Sequence, residues 1–448
     1  MTPFPRSAVF DGARLAAVGG VAVEQLAATW GTPLYVLDRA ELVARIQAYR
    51  RAFGDDVAIV YAAKALCVVG LLQLVAGEGL GVDVTSAGEL CTAERAGFPM
   101  ARVVFHGNNK SREELADAVR LGVGRIVVDS PAELERVAAL GARRGSPVAV
   151  LLRVTPGVAA STHAFIATGH DDVKFGFPLS TGMAADAVAT ALALPGVDVR
   201  GLHCHIGSQI TASGGFQAAA TALCRLRAEV HARCGTALPE LNLGGGLGIA
   251  YTRDDEVLGI DEYAGDLLAA VHAQTADDGL SAPRVTVEPG RSLVGPAGVT
   301  LYTVGTVKHE PRLRTWASVD GGMSDNLRPA LYGARYEVVA AGAPHAATVD
   351  TRRYAVAGKH CETGDVVAAD VELPADLGEG DLLAVAATGA YGYAMASNYN
   401  RLPRPAMVMV GDGRVELVVR RETVEDVLSH DVALSAGGPT LRPYTARP

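Results

Sequence analysis

Between residues 57 and 292 the chain alternates short apolar runs with polar or glycine-rich turns and with segments of helical periodicity. Runs that are apolar along almost their whole length, and that are separated by helices, are typical of parallel strands buried on both faces. The pattern predicts eight such strands, at residues 57–63, 81–85, 102–106, 125–129, 148–154, 199–205, 240–243 and 284–288.

The segments between these runs carry signals for the start of a helix. Ser111 stands three residues before Glu114, and Ser130 directly precedes Pro131, which are residue types that suit a cap and a first turn. Eight strand–helix units over roughly 240 residues match a closed (β/α)8 TIM barrel, an α/β fold. An open doubly wound sheet is the alternative that the pattern leaves open.

After Arg291 the chain changes to short alternating runs with turns such as Asp412-Gly413 between them, which predicts a mostly antiparallel β domain. We divide the chain into a barrel at 31–292 and a C-terminal β domain at 293–448 with a frayed tail at 437–448. Residues 1–30 are expected to add strand segments to the β domain. The C-terminal runs lie at residues 299–307, 316–319, 354–357, 382–387, 406–410 and 415–419.

Composition narrows the class of protein. With 49% hydrophobic and 20% charged residues in 448 positions, the chain is not a disordered one. A formal charge of -9 argues against nucleic acid as a partner. The longest uncharged stretches, 65–77 and 292–307, are too short or too interrupted by Gly and Pro to span a membrane, which takes about 18 apolar residues.

Location is predicted from the start of the chain and from its cysteines. No secretory signal is visible at the N-terminus. The cysteines are too few and too scattered for a disulfide framework, and none form a Cys-x-x-Cys pair. A reducing cytoplasm fits this pattern. The six cysteines are Cys67, Cys91, Cys204, Cys224, Cys234 and Cys361.

Candidate chemistry lies where the predicted strands end, because functional side chains of a barrel gather at the C-terminal face. The first run leads to Lys64, the sixth to His205 and Ser208, the seventh to three glycines, and the eighth to Glu288 and Arg291. Each signal alone has a plainer meaning: a surface lysine, a hydrogen-bonded core histidine, a turn or helix cap at the serine, a tight glycine turn, or a local Glu–Arg pair.

Together these strand ends match the needs of pyridoxal 5′-phosphate. A lysine amine bonds the cofactor aldehyde, glycine N–H groups with the Ser208 hydroxyl suit its phosphate, and a flat imidazole such as that of His205 stacks on its ring. Glu288 would hold the protonated ring nitrogen, and Arg291 would neutralise a phosphate or a substrate carboxylate. A protonated ring is a strong electron sink, which favours decarboxylation.

The motifs also resemble those of the diaminopimelate decarboxylases, a family of the alanine-racemase-like (fold type III) pyridoxal-phosphate enzymes. The resemblance covers nearly the whole chain. The first group of motifs marks the wider superfamily: residues 61–64, 81–84, 86–90, 174–176, 203–209, 244–246 and 288–291. The second group points to the decarboxylase: residues 320–323, 328–333, 361–365, 389–392 and 397–400.

The resemblance assigns roles to individual residues. It implies that Lys64 is the catalytic lysine, that His205 stacks on the cofactor, and that Cys361 donates a proton to the carbon that loses CO2. The plainer reading of Cys361 is a small buried apolar residue. The implied cofactor ligands are Lys64, Asp83, His205, Ser208, Gly245, Gly246, Glu288, Gly290, Arg291 and Tyr391. The implied substrate ligands are Arg291, Arg328, Tyr332, Glu362 and Tyr391.

The resemblance further implies a homodimer in which Cys361 and Glu362 complete the site of the neighbouring subunit. The expected reaction converts meso-diaminopimelate to L-lysine and CO2, the last step of lysine biosynthesis. No metal is expected. Ala164 and Val173 depart from the residues common in relatives, which leaves open a decarboxylase of another amino acid, such as ornithine, lysine or a tethered glutamyl group. A non-catalytic binding protein is the third reading, and Glu288 argues against a racemase.

Overall fold

The computed structural model describes residues 2–158, 173–310, 312–343 and 350–434. Ala164 and the tail predicted to fray at 437–448 lie outside the described residues, whereas Val173 lies within them. In the described part of the chain, no helix is both long and apolar enough to cross a membrane.

Residues 9–53 form a segment whose strands pair within the sheet of the C-terminal strands and whose last helix packs on the core of the barrel. Asp38 ends one of its strands and caps the following helix, because its Oδ1 accepts hydrogen bonds from the N–H groups of Ala40 at 2.8 Å and Glu41 at 3.3 Å. The elements of this segment are β1 Val9–Asp11, β2 Arg14–Val18, β3 Val21–Ala22, α1 Val23–Trp30, β4 Leu34–Asp38 and α2 Arg39–Phe53.

The predicted barrel is confirmed as a closed ring of eight parallel strands. Each strand pairs in parallel with the next, and the last pairs with the first through Thr286 and Val287. The alternative of an open sheet is therefore wrong, while every predicted run falls within two residues of an observed strand. The strands are β5 Ala58–Ala62, β6 Gly81–Val84, β7 Val103–Phe105, β8 Arg125–Val128, β9 Val148–Thr155, β11 Val197–His203, β12 Glu240–Asn242 and β13 Arg284–Val287, with the short β10 Phe177–Pro178 beside β9.

Helices cover the outside of the ring and begin at the predicted caps. Ser111 and Glu114 form a capping box, and the Ser130 hydroxyl accepts the N–H of Glu133 behind Pro131. The helices are α3 Val69–Gly77, α4 Ala87–Arg95, α5 Arg112–Leu121, α6 Pro131–Arg144, α7 Met183–Ala193, α8 Gly214–Cys234, α9 Ile260–Asp277 and the short α10 Arg291–Val294.

The inside of the barrel has an apolar layer below a polar one. Val60, Val104, Val127 and Leu151 form a buried cluster of their own, apart from the core between strands and helices. Buried polar groups are costly unless they are paired, so their concentration at the carboxyl ends of the strands marks that end as the functional one. These polar residues are Asp83, His106, Arg153, His203, Asn242 and Glu288.

The C-terminal sheet is mostly antiparallel, as predicted. Parallel pairing joins β4 to residues 406–410, residues 315–318 to residues 354–357, and Ala341 to Leu15 of β2. Antiparallel pairing joins β4 to residues 298–301 on its other side. The elements are β14 Gly298–Lys308, β15 Thr315–Val319, α11 Arg328–Tyr332, β16 Val338–Ala341, β17 Thr351–Ala357, β18 Val366–Pro374, β19 Leu382–Val385, β20 Ala406–Gly411, β21 Arg414–Val419 and α12 Val424–Leu428.

Candidate active site

Lys64 is exposed at the mouth of the barrel, although its neighbours Ala63 and Ala65 are buried. It lies in a short turn at the end of β5. Two hydrogen bonds hold that turn: the Ala63 N–H donates to Asp83 Oδ1 at 3.1 Å, and the Tyr391 N–H donates to the Ala65 carbonyl at 2.8 Å. The amine is thus presented to solvent from a fixed backbone.

Glu288 follows β13 and is buried on the polar side of the barrel. One carboxylate oxygen accepts from His106 Nε2 at 2.9 Å and Asn242 Nδ2 at 2.6 Å, and the other from His203 Nε2 at 3.1 Å. The reading of Glu288 and Arg291 as a local pair is therefore wrong, because the partners of Glu288 come from other strands.

The partners of Glu288 decide its charge. Burial alone would raise its pKa, but the neighbouring His106 and His203 outweigh burial and hold the pKa of Glu288 well below its usual range. Burial in turn lowers the pKa of His203 to about 4, against the opposing effect of Glu288, and also lowers that of His106. The arrangement is a carboxylate held by neutral imidazole and amide N–H groups.

Asp83 is the second buried carboxyl group at this end of the barrel. Burial, with the nearby negative charge of Glu288, raises its pKa well above the ordinary value, while Lys64 opposes that shift. Two carboxyl groups in one site seldom ionise together, and here Glu288, which accepts from three side-chain N–H groups, keeps the charge.

The glycine loop after β12 packs closely against its neighbours. A Cβ on Gly245 would lie 2.0 Å from the Glu288 carbonyl oxygen, and one on Gly246 would lie 2.5 Å from the Gly207 carbonyl oxygen. The Gly245 N–H donates to His205 Nδ1 at 3.4 Å. Burial, with the positive charges of Lys64 and Arg153, lowers the pKa of His205 well below its ordinary value, so the ring is neutral.

Arg291 lies at the start of α10, directly after Gly290, and is buried. Its guanidinium donates to Ser208 Oγ through Nη2 at 2.9 Å and to the Tyr251 hydroxyl through Nη1. Its centre lies 4.6 Å from the centroid of the Tyr391 ring. The structure thus brings Ser208, Arg291 and Tyr391 together beside the Lys64 turn.

Arg328 comes from α11 in the β domain and points to the same group of tyrosines. Its Nη1 donates to the Tyr336 hydroxyl at 2.6 Å, and its guanidinium lies 4.4 Å from the Tyr251 ring centroid. Arg328 and Arg291 therefore both contact Tyr251 and place two positive charges near one another. Tyr332, at the other end of α11, is half-buried.

Cys361 and Glu362 do not join this group in the contacts of the described residues. Both are exposed in a loop between β17 and β18, where the Cys361 N–H donates to Asn400 Oδ1 at 2.9 Å. The reading of Cys361 as a buried apolar residue is wrong. The ring of the adjacent buried His360 stacks on Tyr399 and bonds Asp365, which gives the loop a fixed base.

Sequence reasoning missed several residues of this site. His106, His203 and Asn242 surround Glu288, while Tyr251 and Tyr336 join the two arginines. The histidines and Asn242 do stand at the ends of predicted strands, which was the available signal. Tyr251 and Tyr336 lie outside those strand ends, and no such signal exists for them.

The fold and these residues define an enzyme that uses pyridoxal phosphate. The amine of Lys64 is exposed beside buried strands. The Glu288 carboxylate is buried and accepts hydrogen bonds from three N–H groups, and the glycine loop brings backbone close to the mouth. These groups fit an aldehyde, a ring nitrogen and a phosphate.

Comparison with known proteins leads to the same class. Residues 39–295 match the family described as pyridoxal-dependent decarboxylase, pyridoxal binding domain, and the chain belongs to this family. It is 48% identical to the diaminopimelate decarboxylase of Bacillus subtilis over 94% of this chain and 96% of that one. It is 45% identical to the enzyme of that name from Corynebacterium efficiens, over 96% and 94% of the two chains.

Solved structures of decarboxylases share the fold of this chain. A diaminopimelate decarboxylase from M. jannaschii, in complex with L-lysine, superposes with a TM-score of 0.90 at 33% identity and covers 97% of this chain and 99% of its own. A lysine/ornithine decarboxylase of Vibrio vulnificus superposes with a TM-score of 0.75 at 24% identity, over 87% of this chain and 97% of its own, which shows a shared fold alone.

Proposed function

We propose that this protein removes one carboxylate from meso-diaminopimelate with the help of pyridoxal phosphate, to give L-lysine and CO2 in the last step of lysine biosynthesis. The convergence of the Lys64 amine, the Glu288 carboxylate and two buried arginines on one barrel mouth carries this proposal. Relatives named diaminopimelate decarboxylase at 44% to 48% identity support the choice of substrate.

The cofactor would be held at its aldehyde, ring and phosphate by separate groups. Lys64 would bond the aldehyde, Glu288 would accept from the ring nitrogen, and His205 would lie against the ring. When bound, the cofactor withdraws electrons from the substrate carbon that loses CO2. The remaining cofactor ligands would be Asp83, Ser208, Gly245, Gly246, Gly290, Arg291 and Tyr391.

The substrate would be recognised at both of its ends. Arg328 and Arg291 supply positive charge for the carboxylate that is kept, and bidentate arginine–carboxylate pairs also fix orientation. Tyr332 and Tyr391 would add hydroxyl contacts. Glu362 supplies the negative charge that a distal ammonium group requires.

Cys361 would complete the reaction. The bond between the substrate α carbon and its carboxylate breaks, its electron pair stays with the carbon, and the carboxylate leaves as CO2. The thiol of Cys361 then delivers its proton to that carbon, and the thiolate is reprotonated from solvent.

We further propose that the active form is a homodimer with two composite sites. Cys361 and Glu362 are exposed on their own subunit, where a neighbouring chain has access to them. We also propose a division of the chain into three parts at residues 30 and 292, with the exception that strand β4 Leu34–Asp38 pairs within the β sheet. A cytoplasmic location is supported by the free thiols of all six cysteines, a state that a reducing compartment maintains.

A direct turnover assay tests the function. Purified protein with pyridoxal phosphate should release CO2 and L-lysine from meso-diaminopimelate, and should turn over ornithine and lysine far more slowly. Faster turnover of a substrate that lacks the distal amino-carboxylate group would overturn the substrate assignment. Cofactor binding without turnover of any of them would indicate a non-catalytic protein.

A further inference from the structure

The buried groups around Glu288 form a cluster drawn from four different strand ends. His106 follows β7, His203 ends β11, Asn242 ends β12, and Glu288 follows β13. All four side chains are buried, and the carboxylate forms hydrogen bonds with three side-chain nitrogens, at 2.6 to 3.1 Å. Glu288 is therefore oriented from three directions at once.

The hydrogen bonds fix the form of both imidazoles. Nε2 must carry a hydrogen to donate to the carboxylate, which excludes the Nδ1–H tautomer for both rings. Burial lowers the pKa of both rings and favours their neutral form. The Nδ1 of His203 is buried without a partner among the described residues, which makes its protonation unfavourable. The two rings meet edge to face with centroids 4.8 Å apart, which restricts their rotation. Three neutral donors thus leave the negative charge on Glu288.

Asn242 also connects this cluster to the glycine loop. Its Nδ2 donates to Glu288 at 2.6 Å, while its Oδ1 accepts the N–H of Gly244 at 3.0 Å. The same side chain therefore links the group proposed to face the ring nitrogen with the loop proposed to face the phosphate.

We propose that His106, His203 and Asn242 are positioning residues, which hold Glu288 as an oriented carboxylate and thereby keep the ring nitrogen of the bound cofactor protonated. This inference rests on the proposed function, because it requires Glu288 to contact that nitrogen. By this inference, the strength with which the bound cofactor withdraws electrons depends on a network of four residues and not on Glu288 alone.

Two cofactors that differ at one atom provide the test. Apoprotein is titrated with pyridoxal phosphate and with its 1-deaza analogue, in which carbon replaces the ring nitrogen. The wild type should bind pyridoxal phosphate about tenfold or more tightly than the analogue, because only the former makes the charge-assisted bond to Glu288. His203→Leu should lose most of that preference, and His203→Gln, which keeps an N–H donor, should retain most of it.

The control is Thr275→Val, which alters a buried polar side chain on α9, outside the ring of strands. It should keep the wild-type preference for pyridoxal phosphate. If His203→Leu does not fold, the variants His106→Leu and His106→Gln test the same loss of cofactor preference at the residue that follows β7. A merely structural role would weaken binding of both cofactors equally and leave their ratio unchanged.

The nitrogen-15 chemical shift of labelled pyridoxal phosphate gives an independent readout of ring protonation. A wild-type shift typical of a protonated ring, moving toward the neutral value in His203→Leu, is the expected result. A wild type with an unprotonated ring and no preference between the two cofactors would refute the proposed role of Glu288 itself. A protonated wild-type ring that is unchanged in the leucine variants would refute only the role of the positioning residues.

Discussion

At the scale of single residues, the active-site mouth separates charges that would otherwise neutralise one another. The Lys64 amine is exposed, and the Glu288 carboxylate is buried among N–H donors. A lysine at the end of an apolar strand avoids the cost of burial because its amine remains in solvent. The anion avoids that cost through hydrogen bonds. The amine is therefore accessible to a ligand, and the buried carboxylate keeps its charge.

Lys64→Ala should abolish the visible absorption band of the covalently bound cofactor, because the amine that bonds the aldehyde is gone. Absorption spectroscopy of the dialysed protein measures this loss. Lys308→Ala, at the exposed end of β14, is the matched control and should keep the band. An undiminished band in Lys64→Ala would show that another amine holds the cofactor.

Cys361→Ala should lower kcat by about a hundredfold or more, since a positioned acid contributes on that order, while the cofactor stays bound. Steady-state release of L-lysine, together with the absorption spectrum, measures both effects. Cys91→Ala removes another exposed thiol, on α4, and should have wild-type kcat. Equal kcat in the two variants would exclude the thiol of Cys361 as the proton donor.

The neutral state of His203 makes stability depend on pH. Because its pKa is about 4 in the folded protein, the unfolded chain binds more protons between pH 6.5 and 4, and stability falls as the pH falls through this window. From pH 6.5 to 5 the loss amounts to about 2 kcal/mol from this residue. We expect the melting temperature of the His203→Gln apoprotein to fall less over that interval than the melting temperature of the wild-type apoprotein.

His272→Gln is the control for that experiment, because His272 is exposed on α9. It should show the same fall in melting temperature as the wild type. If the melting temperature of His203→Gln falls as much as that of the wild type, the assignment of a neutral His203 in the folded protein is contradicted.

The sequence pattern pointed to residues that end strands and did not point to residues that matter only through their partners. Lys64, Glu288 and the glycines stand out because of where they follow apolar runs. Tyr251 and Tyr336 belong to the site because they hydrogen-bond to Arg291 and Arg328, which come from different parts of the chain. A local sequence pattern does not contain contacts between residues that are distant in sequence.

At the scale of elements, the strands of the barrel were predictable because burial on both faces leaves an almost continuous apolar run. Among the described strands that follow Arg291, two were missed for different reasons. β16 Val338–Ala341 is only four residues long, and β18 Val366–Pro374 is interrupted by exposed Ala369 and Asp370. Short or half-exposed strands depend on pairing with neighbours distant in sequence, which a local pattern does not contain.

The glycine loop after β12 gives a prediction at this scale. Gly245→Ala should weaken cofactor binding about tenfold or more, because its Cβ would lie 2.0 Å from the Glu288 carbonyl oxygen and must push the loop away from β13. Titration of the apoprotein with pyridoxal phosphate measures the change. Gly265→Ala, on α9 with no atom within 4 Å of the added carbon, should bind normally. Normal binding by Gly245→Ala would show that the loop does not need this close approach.

At the scale of the whole molecule, the two domains share one site. Arg328 and Tyr391 come from the β domain and meet Arg291 and the Lys64 turn of the barrel. The hydrogen bond from the Tyr391 N–H to the Ala65 carbonyl joins the turn that carries Lys64 to the C-terminal part of the chain. The barrel alone therefore lacks part of the support for its own lysine.

The proposed composite sites predict complementation between two inactive proteins. Lys64→Ala and Cys361→Ala, unfolded together and refolded as a mixture, should regain about a quarter of wild-type activity, because half of the dimers are hybrids and one of their two sites is intact. Lysine release before and after mixing measures the gain. Lys64→Ala mixed with itself is the control. No gain in the mixture, with dimers present by gel filtration, would place both residues in the site of a single chain.

Strand β4 Leu34–Asp38 lies between β14 and β20, and all five of its residues are buried. Its second neighbour begins at Ala406, so the ribosome adds more than 360 residues before this strand has both partners. At 5 to 20 residues per second that interval lasts about 20 to 70 s. Throughout that time the apolar β4 segment lacks one of the two strands that bury it, and we expect it to be accessible to a chaperone that binds apolar segments.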